Sequence, residues 1–141
     1  MATTAVTATR REDGGKLILR LAVGGLLLFH GIAKLKGGIG WMGGMLDGIG
    51  LPEFVGYGVY VGEVIAPLFL LAGKFARPAG LIVAFNMLVA VLLGRRDGIA
   101  ALNQGGGWAI ELELLFLLGG LAIWFLGSGR FAMSRGAGRW D

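Results

Sequence analysis

The stretch Leu17–Leu35, LILRLAVGGLLLFHGIAKL, decides the fold class. It is almost entirely apolar, interrupted only by Arg20, His30 and Lys34. A membrane-crossing helix needs about 20 mostly apolar residues at about 1.5 Å rise each, and this run meets that length. Its apolar residues do not alternate with polar ones, as those of a barrel strand would. Nor do they leave the polar face that a soluble bundle helix shows to water. Working outward, three further segments read the same way: Phe54–Gly73, Pro78–Gly94 and Trp108–Leu126. The expected fold is all-α, an integral membrane four-helix bundle spanning residues 17–127, between a flexible tail of residues 1–16 and a basic tail of residues 128–141.

Composition agrees. The 141 residues suffice for one domain, and only 16% are charged, against about 25% in soluble domains. Cysteine is absent, which excludes disulfides and thiolate chemistry within the chain. The net charge of +4 comes from Lys and Arg set between apolar blocks, pointing to lipid headgroups rather than nucleic acid. Lys34 and Lys36 follow the first apolar run where a cleavable signal would carry small residues, so that run is read as a retained span.

The basic residues set the topology. Arg10, Arg11, Lys16, Lys74, Arg77, Arg130, Arg135 and Arg139 fall on one side of the expected bundle; Lys34, Lys36, Arg95 and Arg96 fall on the other. The positive-inside rule then places both termini in the cytoplasm. Arg20, near the cytoplasmic end of its span, is expected to snorkel to the surface. Lys74–Arg77 reads as a tight turn, with Pro78 at the first helical position. In the connection Lys36–Glu53, helical spacing of Trp41, Met45 and Ile49 suggests a short interfacial helix. Gly105-Gly106-Gly107 reads as a flexible entry to the last span. Gly58, Gly62 and Ala66 repeat every four residues, and Gly80 and Ala84 do the same, which suits close helix contact.

Polar residues within the spans are the candidate site: His30, Lys34, Glu63, Asn86 and Glu111, with Glu113 beside it. An ionisable group at bilayer depth costs at least about 2.5 kcal/mol, so such groups turn inward and pair. His30 and Lys34 share a helix face. At about 1.5 Å per residue, His30 lies about 6 Å below Lys34, Glu63 about 14 Å into its span and Glu111 about 5 Å into its own. All then meet in the outer half of the bundle. Glu111 and Glu113, about 200° apart on a helix, cannot easily both point inward. Three roles fit such a cluster: fixing helix register, holding a ligand such as a quinone head group, or moving protons or ions. One His and no Cys do not supply the usual metal or haem ligands, so no metal is expected and no cofactor is evident except a quinone.

From about Leu19 to Gly129 the chain resembles the DoxX-like family of small bacterial membrane proteins. The resemblance is carried by His30-Gly31-Ile32-Ala33-Lys34, Gly50-Leu51-Pro52, Glu63 and Leu71-Ala72-Gly73-Lys74-Phe75-Ala76-Arg77-Pro78. It continues through Asn86-Met87-Leu88-Val89-Ala90 and Gly106-Gly107-Trp108 leading to Glu111. It implies a four-span bundle in the bacterial inner membrane and a link to quinone-dependent oxidation or to assembly of membrane complexes. The doubled Glu111/Glu113 leaves open which glutamate is equivalent to the family's.

The first expectation is an accessory or assembly subunit, with membrane lipid and other membrane subunits, or further copies of itself, as partners. The second is a quinone-linked oxidoreductase subunit in which His30 exchanges a proton, Lys34 stabilises an anion and Glu63 relays protons. The third is a component of a proton-coupled transporter, which at this size would need an oligomer. Whether the chain is itself an enzyme stays open at this level.

Overall fold

The structure is a computed structural model that describes residues 9–141. Apart from Thr9, the expected flexible tail Met1–Thr9 lies outside the described residues. The described chain is helical, with no β-strand and one isolated bridge between Leu102 and Trp108. Helix α1 runs Arg10–Gly37, α2 Trp41–Asp47, α3 Glu53–Ala72, α4 Ala76–Gly94 and α5 Glu111–Leu126. Helices α1, α3, α4 and α5 form the four-helix bundle, and α1, α3 and α4 are long and apolar enough to cross a membrane.

Residues 10–16, expected in a flexible tail, are the first two turns of α1. The cause is a capping box: the Thr9 hydroxyl accepts from the Glu12 N–H at 3.3 Å, and the Glu12 carboxylate accepts from the Thr9 N–H at 2.6 Å. Such a cap stabilises a helix start by about 0.5–2 kcal/mol. Helix α5 starts at Glu111, three residues later than the expected span. Trp108 is held back in the preceding loop, its indole N–H donating to Ile99 O at 2.9 Å. That loop is more ordered than its three glycines suggest, because the Asn103 side chain accepts from both the Gly105 and Gly107 N–H groups at 3.0 Å. Pro78 is the third residue of α4 rather than the first. It still lies in the opening turn, where the missing N–H costs no helical bond.

Helix α3 changes pitch along its length. It opens as a 3-10 turn over Glu53–Tyr57, widens to a π-helical turn over Val61–Ile65 and becomes α-helical over Ala66–Ala72. Pro67 lacks the N–H that would bond the Glu63 carbonyl in a regular α-helix, and Ala66 donates to Val61 O, five residues back. The wide turn therefore carries Glu63.

Val23 and Leu27 on α1, Leu70 on α3, Val83 and Met87 on α4, and Phe116 and Ile123 on α5 form the buried core. Large apolar side chains also cover the outside, among them Ile18, Leu26, Phe29, Phe85, Leu115 and Phe125. A water-soluble bundle of this size does not carry so continuous an apolar coat. Helices α4 and α5 meet backbone to backbone: a methyl group on Gly80 would stand 2.6 Å from Gly120 O, and one on Gly120 2.5 Å from Gly80 O. The expected small-residue stripe on α3 is engaged at Gly62 and Ala66, whereas Gly58 faces open space.

The start of α1 and the segment after α5 meet at one end of the bundle, together with the tight α3–α4 turn. Residues 128–141, expected as a basic tail, form a cap there. Ser128 is fully buried, Met133 N–H donates to Ala72 O at 3.1 Å, the Ser134 hydroxyl donates to Gly73 O at 2.9 Å, and Arg77 N–H donates to Trp140 O at 3.1 Å. Arg20 organises this cap and does not snorkel. Its guanidinium is buried and donates to the carbonyls of Ser128 at 3.0 Å, Leu70 at 2.6 Å and Phe131 at 2.6 Å. The backbone after α5 offers carbonyls without helical partners, Leu70 O has a lone pair to spare beside its bond from the Gly73 N–H, and a planar five-donor group satisfies all three.

Candidate functional site

At the opposite end of the bundle, His30, Lys34, Glu63 and Asn86 line one cavity. Helix direction makes Lys34 and Glu63 converge. Side chains lean toward the N-terminus of their own helix, and α1 and α3 run in opposite directions. Lys34 thus leans down from α1 while Glu63 leans up from α3, and they form an ion pair through Lys34 Nζ and Glu63 Oε2. The Glu63 side chain is only 4% exposed, against 24% for Lys34. Its other oxygen, Oε1, accepts from Asn86 Nδ2 on α4 at 3.3 Å. The Tyr60 hydroxyl, one turn before Glu63, donates to Lys34 O at 3.2 Å.

Two glycines permit this approach. A methyl group on Gly31 would stand 2.1 Å from Glu63 O, and one on Gly62 would stand 2.4 Å from Asn86 Cγ. Neither helix pair could close to this distance with a larger residue. The glycine next to His30 and the glycine next to Glu63 are thus structural parts of the site.

The cavity has a volume of about 950 Å³, and its walls are mostly apolar. Met42, Met45 and Leu46 of α2, the short helix expected from the sequence, cover one side; Phe85 and Phe116 form others. Methionine walls adapt readily to the shape of an occupant. His30 packs edge-on against Phe116, with ring centroids 6.0 Å apart, and makes no hydrogen bond with another described residue.

The structure separates the two glutamates that the sequence left undecided. Glu113 lines the cavity; Glu111 does not, and instead is exposed, accepting from Asn103 Nδ2 at 3.2 Å. Glu113 Oε1 lies 3.7 Å from Arg95 Nε, while its buried Oε2 has no partner among the described residues. Arg95 also lines the cavity, so two cation–carboxylate pairs border it, one between α1 and α3 and one joining the end of α4 to α5. Arg95 carried no sequence signal beyond its position beside a span, and Tyr60 none beyond its place within one. Glu113 was visible but indistinguishable from Glu111 until the start of α5 fixed its rotation.

No group of three or more His, Asp or Glu side chains able to hold a metal is found among the described residues. The groups present instead suit a neutral amphipathic molecule. Lys34, Asn86 and His30 can donate to carbonyl oxygens, the two carboxylates can hold protons, and apolar walls suit a ring and tail. A protein-family model described as DoxX matches residues 15–96, which runs from the second turn of α1 to just past the end of α4 and includes His30, Lys34, Glu63 and Asn86. No curated protein matches the chain, and no solved structure does.

Proposed function

This chain belongs to the DoxX family of membrane proteins, and on that premise we propose that it is an accessory subunit of a quinone-linked membrane complex, holding a quinone head group in the cavity at Glu63. The observation that carries this reading is the buried Lys34–Glu63–Asn86 constellation at the wall of a largely apolar cavity of about 950 Å³. Small-molecule sites are typically apolar clefts of about 300–1,000 Å³ with a few placed polar groups. A quinone presents two carbonyl oxygens as acceptors. In this reading Lys34 and Asn86 donate to one of them, and His30, which makes no hydrogen bond with another described residue, donates to the second. Reduction to the quinol takes two electrons and two protons. In this reading Glu63 and His30 pass the protons, and the electrons come from a partner subunit, because a chain without cysteine and with one histidine lacks the usual ligands for a redox metal or cluster.

The membrane placement follows the same reading. The chain crosses the bacterial inner membrane four times, with both termini in the cytoplasm. Supporting this, Asp13 near the start of α1 accepts from the Arg130 N–H after α5, so the start of α1 and the segment after α5 lie at one end of the bundle. At about 1.5 Å per residue the 16 residues of α5 reach about 24 Å, and apolar Trp108–Ile110 extend its start.

Two measurements test the proposal. Binding of a short-tailed quinone to the purified chain, followed by tryptophan quenching, is expected to weaken at least tenfold in Glu63→Gln and in His30→Ala; unchanged binding in both removes the quinone. Mild-detergent purification at native expression is expected to retain stoichiometric partners, and a chain that elutes alone removes the accessory role.

A further inference from the structure

We propose that the capped end of the bundle, opposite the cavity, binds an anionic phospholipid headgroup at the notch between the α3–α4 turn and the segment ending at Asp141. The notch has a volume of about 340 Å³ and is lined by Arg77, Trp124, Arg139 and Trp140. Two cation–aromatic pairs, remote in sequence, flank it. Lys74 Nζ lies 5.6 Å from the Phe75 ring centroid, and the Arg139 guanidinium 5.2 Å from the Trp140 ring. Tertiary contacts draw the two together: Phe75 N–H donates to the Asp141 side chain, and Arg77 N–H donates to Trp140 O at 3.1 Å. Both aromatic rings are exposed. Amphipathic aromatics and cations side by side are what the headgroup layer favours.

Cations outnumber acids around the notch, where Arg77, Arg139 and Lys74 stand against Asp141. Glu12 caps α1, Asp13 pairs with Arg130, and the Asp141 side chain holds the Phe75 N–H. Arg77 is spent on the carbonyls of Trp124 and Phe125 at 2.7 and 2.9 Å, so it shapes the notch. Lys74 and Arg139 are exposed and have no carboxylate partner among the described residues. The planar fork of Arg139 matches two oxygens of a phosphodiester, and Lys74 adds a point charge. Phe125, next to Trp124 and bonded through its carbonyl to Arg77, has a ring that is 73% exposed, an apolar neighbour that favours a lipid over free phosphate.

The full chain, purified in an uncharged detergent, would be titrated by native mass spectrometry with phosphatidylglycerol, with phosphatidylcholine of the same acyl chains, and with inorganic phosphate. Phosphatidylglycerol is expected to bind most tightly. Arg139→Gln is expected to weaken it about fivefold, equivalent to about 1 kcal/mol for one surface cation, and Lys36→Gln at the opposite end to leave it unchanged. Arg139 is exposed, and a matching melting temperature would confirm that its variant folds. Equal affinity for both lipids, undiminished binding in Arg139→Gln, or inorganic phosphate binding as tightly as the lipid would each overturn the proposal.

Discussion

Arg20 and Lys34 lie on the same helix, about 21 Å apart along its axis, and both cations are withdrawn from water in different ways. Arg20 is buried and donates to three backbone carbonyls from two segments, the end of α3 and the chain after α5, with no carboxylate partner among the described residues and no place in the cavity wall. Lys34 is partly exposed, meets a single buried carboxylate and lines a large cavity. The first arrangement has little left to give a ligand and serves to close the fold. The second keeps donors and acceptors facing a space, the condition a binding site requires. A polar group within a span is therefore no sign of function in itself; the empty volume beside it and its unused hydrogen-bonding capacity make the difference.

Breaking the closed end should have the largest effect. Arg20→Met takes the donor from the carbonyls of Ser128 and Phe131 and leaves Leu70 O with the Gly73 N–H alone, and each buried group left unpaired costs about 1–3 kcal/mol. Thermal unfolding is expected to shift down by more than any cavity variant shifts it, with new tryptic cleavage at Arg130 and Arg135. Wild-type stability with an intact cap would erase the contrast between the two cations.

Gly31→Ala should come next, because its methyl group would overlap Glu63 O and overpacking of this kind costs about 1–3 kcal/mol. Quinone binding is expected to fall with it, as α1 and α3 separate at the ion pair. A variant that binds normally would show that the cavity tolerates a looser helix contact.

The Lys34–Glu63 pair sharpens the comparison through a double-mutant cycle. Lys34→Met or Glu63→Met alone leaves a buried or half-buried charge without its partner, whereas the double variant removes both. The double variant is expected to be more stable than Glu63→Met alone, with a coupling of about 0.5–3 kcal/mol in urea or thermal titrations. Strict additivity would mean that the pair is not formed in the membrane. The smallest effect is reserved for Glu111→Gln, expected within about 0.5 kcal/mol of wild type and without effect on ligand affinity. Glu113→Gln should change that affinity at least threefold, and the reverse ranking would reassign the cavity glutamate.

Much of this was legible before any fold was known. The apolar runs gave most helix ends within a few residues, and the cost of polar groups at bilayer depth singled out His30, Lys34, Glu63, Asn86 and Glu111, of which all but Glu111 line one cavity. The misses have specific causes. Thr9-x-x-Glu12 is a capping box, and it extended α1 into residues assigned to a tail. Arg20 was assigned to the surface because snorkelling is the usual fate of an arginine near a span end; only the return of residues 128–131 over it supplied the carbonyls that bury it. Gly31 and Gly62 stood beside the conspicuous residues, but what each glycine avoids lies on another helix.

Sequence by itself determined that this chain folds as apolar helices in a membrane, because hydrophobic length and scarcity of charge act locally along the chain. It also singled out His30, Lys34, Glu63 and Asn86 as groups that had to turn inward, because desolvation penalises each one wherever the helices pack. Tertiary structure alone decided that Lys34 meets Glu63, that Glu113 rather than Glu111 faces the cavity, and that Arg20 locks a cap. Those outcomes depend on helix rotation and backbone approach, which are fixed when separate segments pack together and cannot be read from either segment alone.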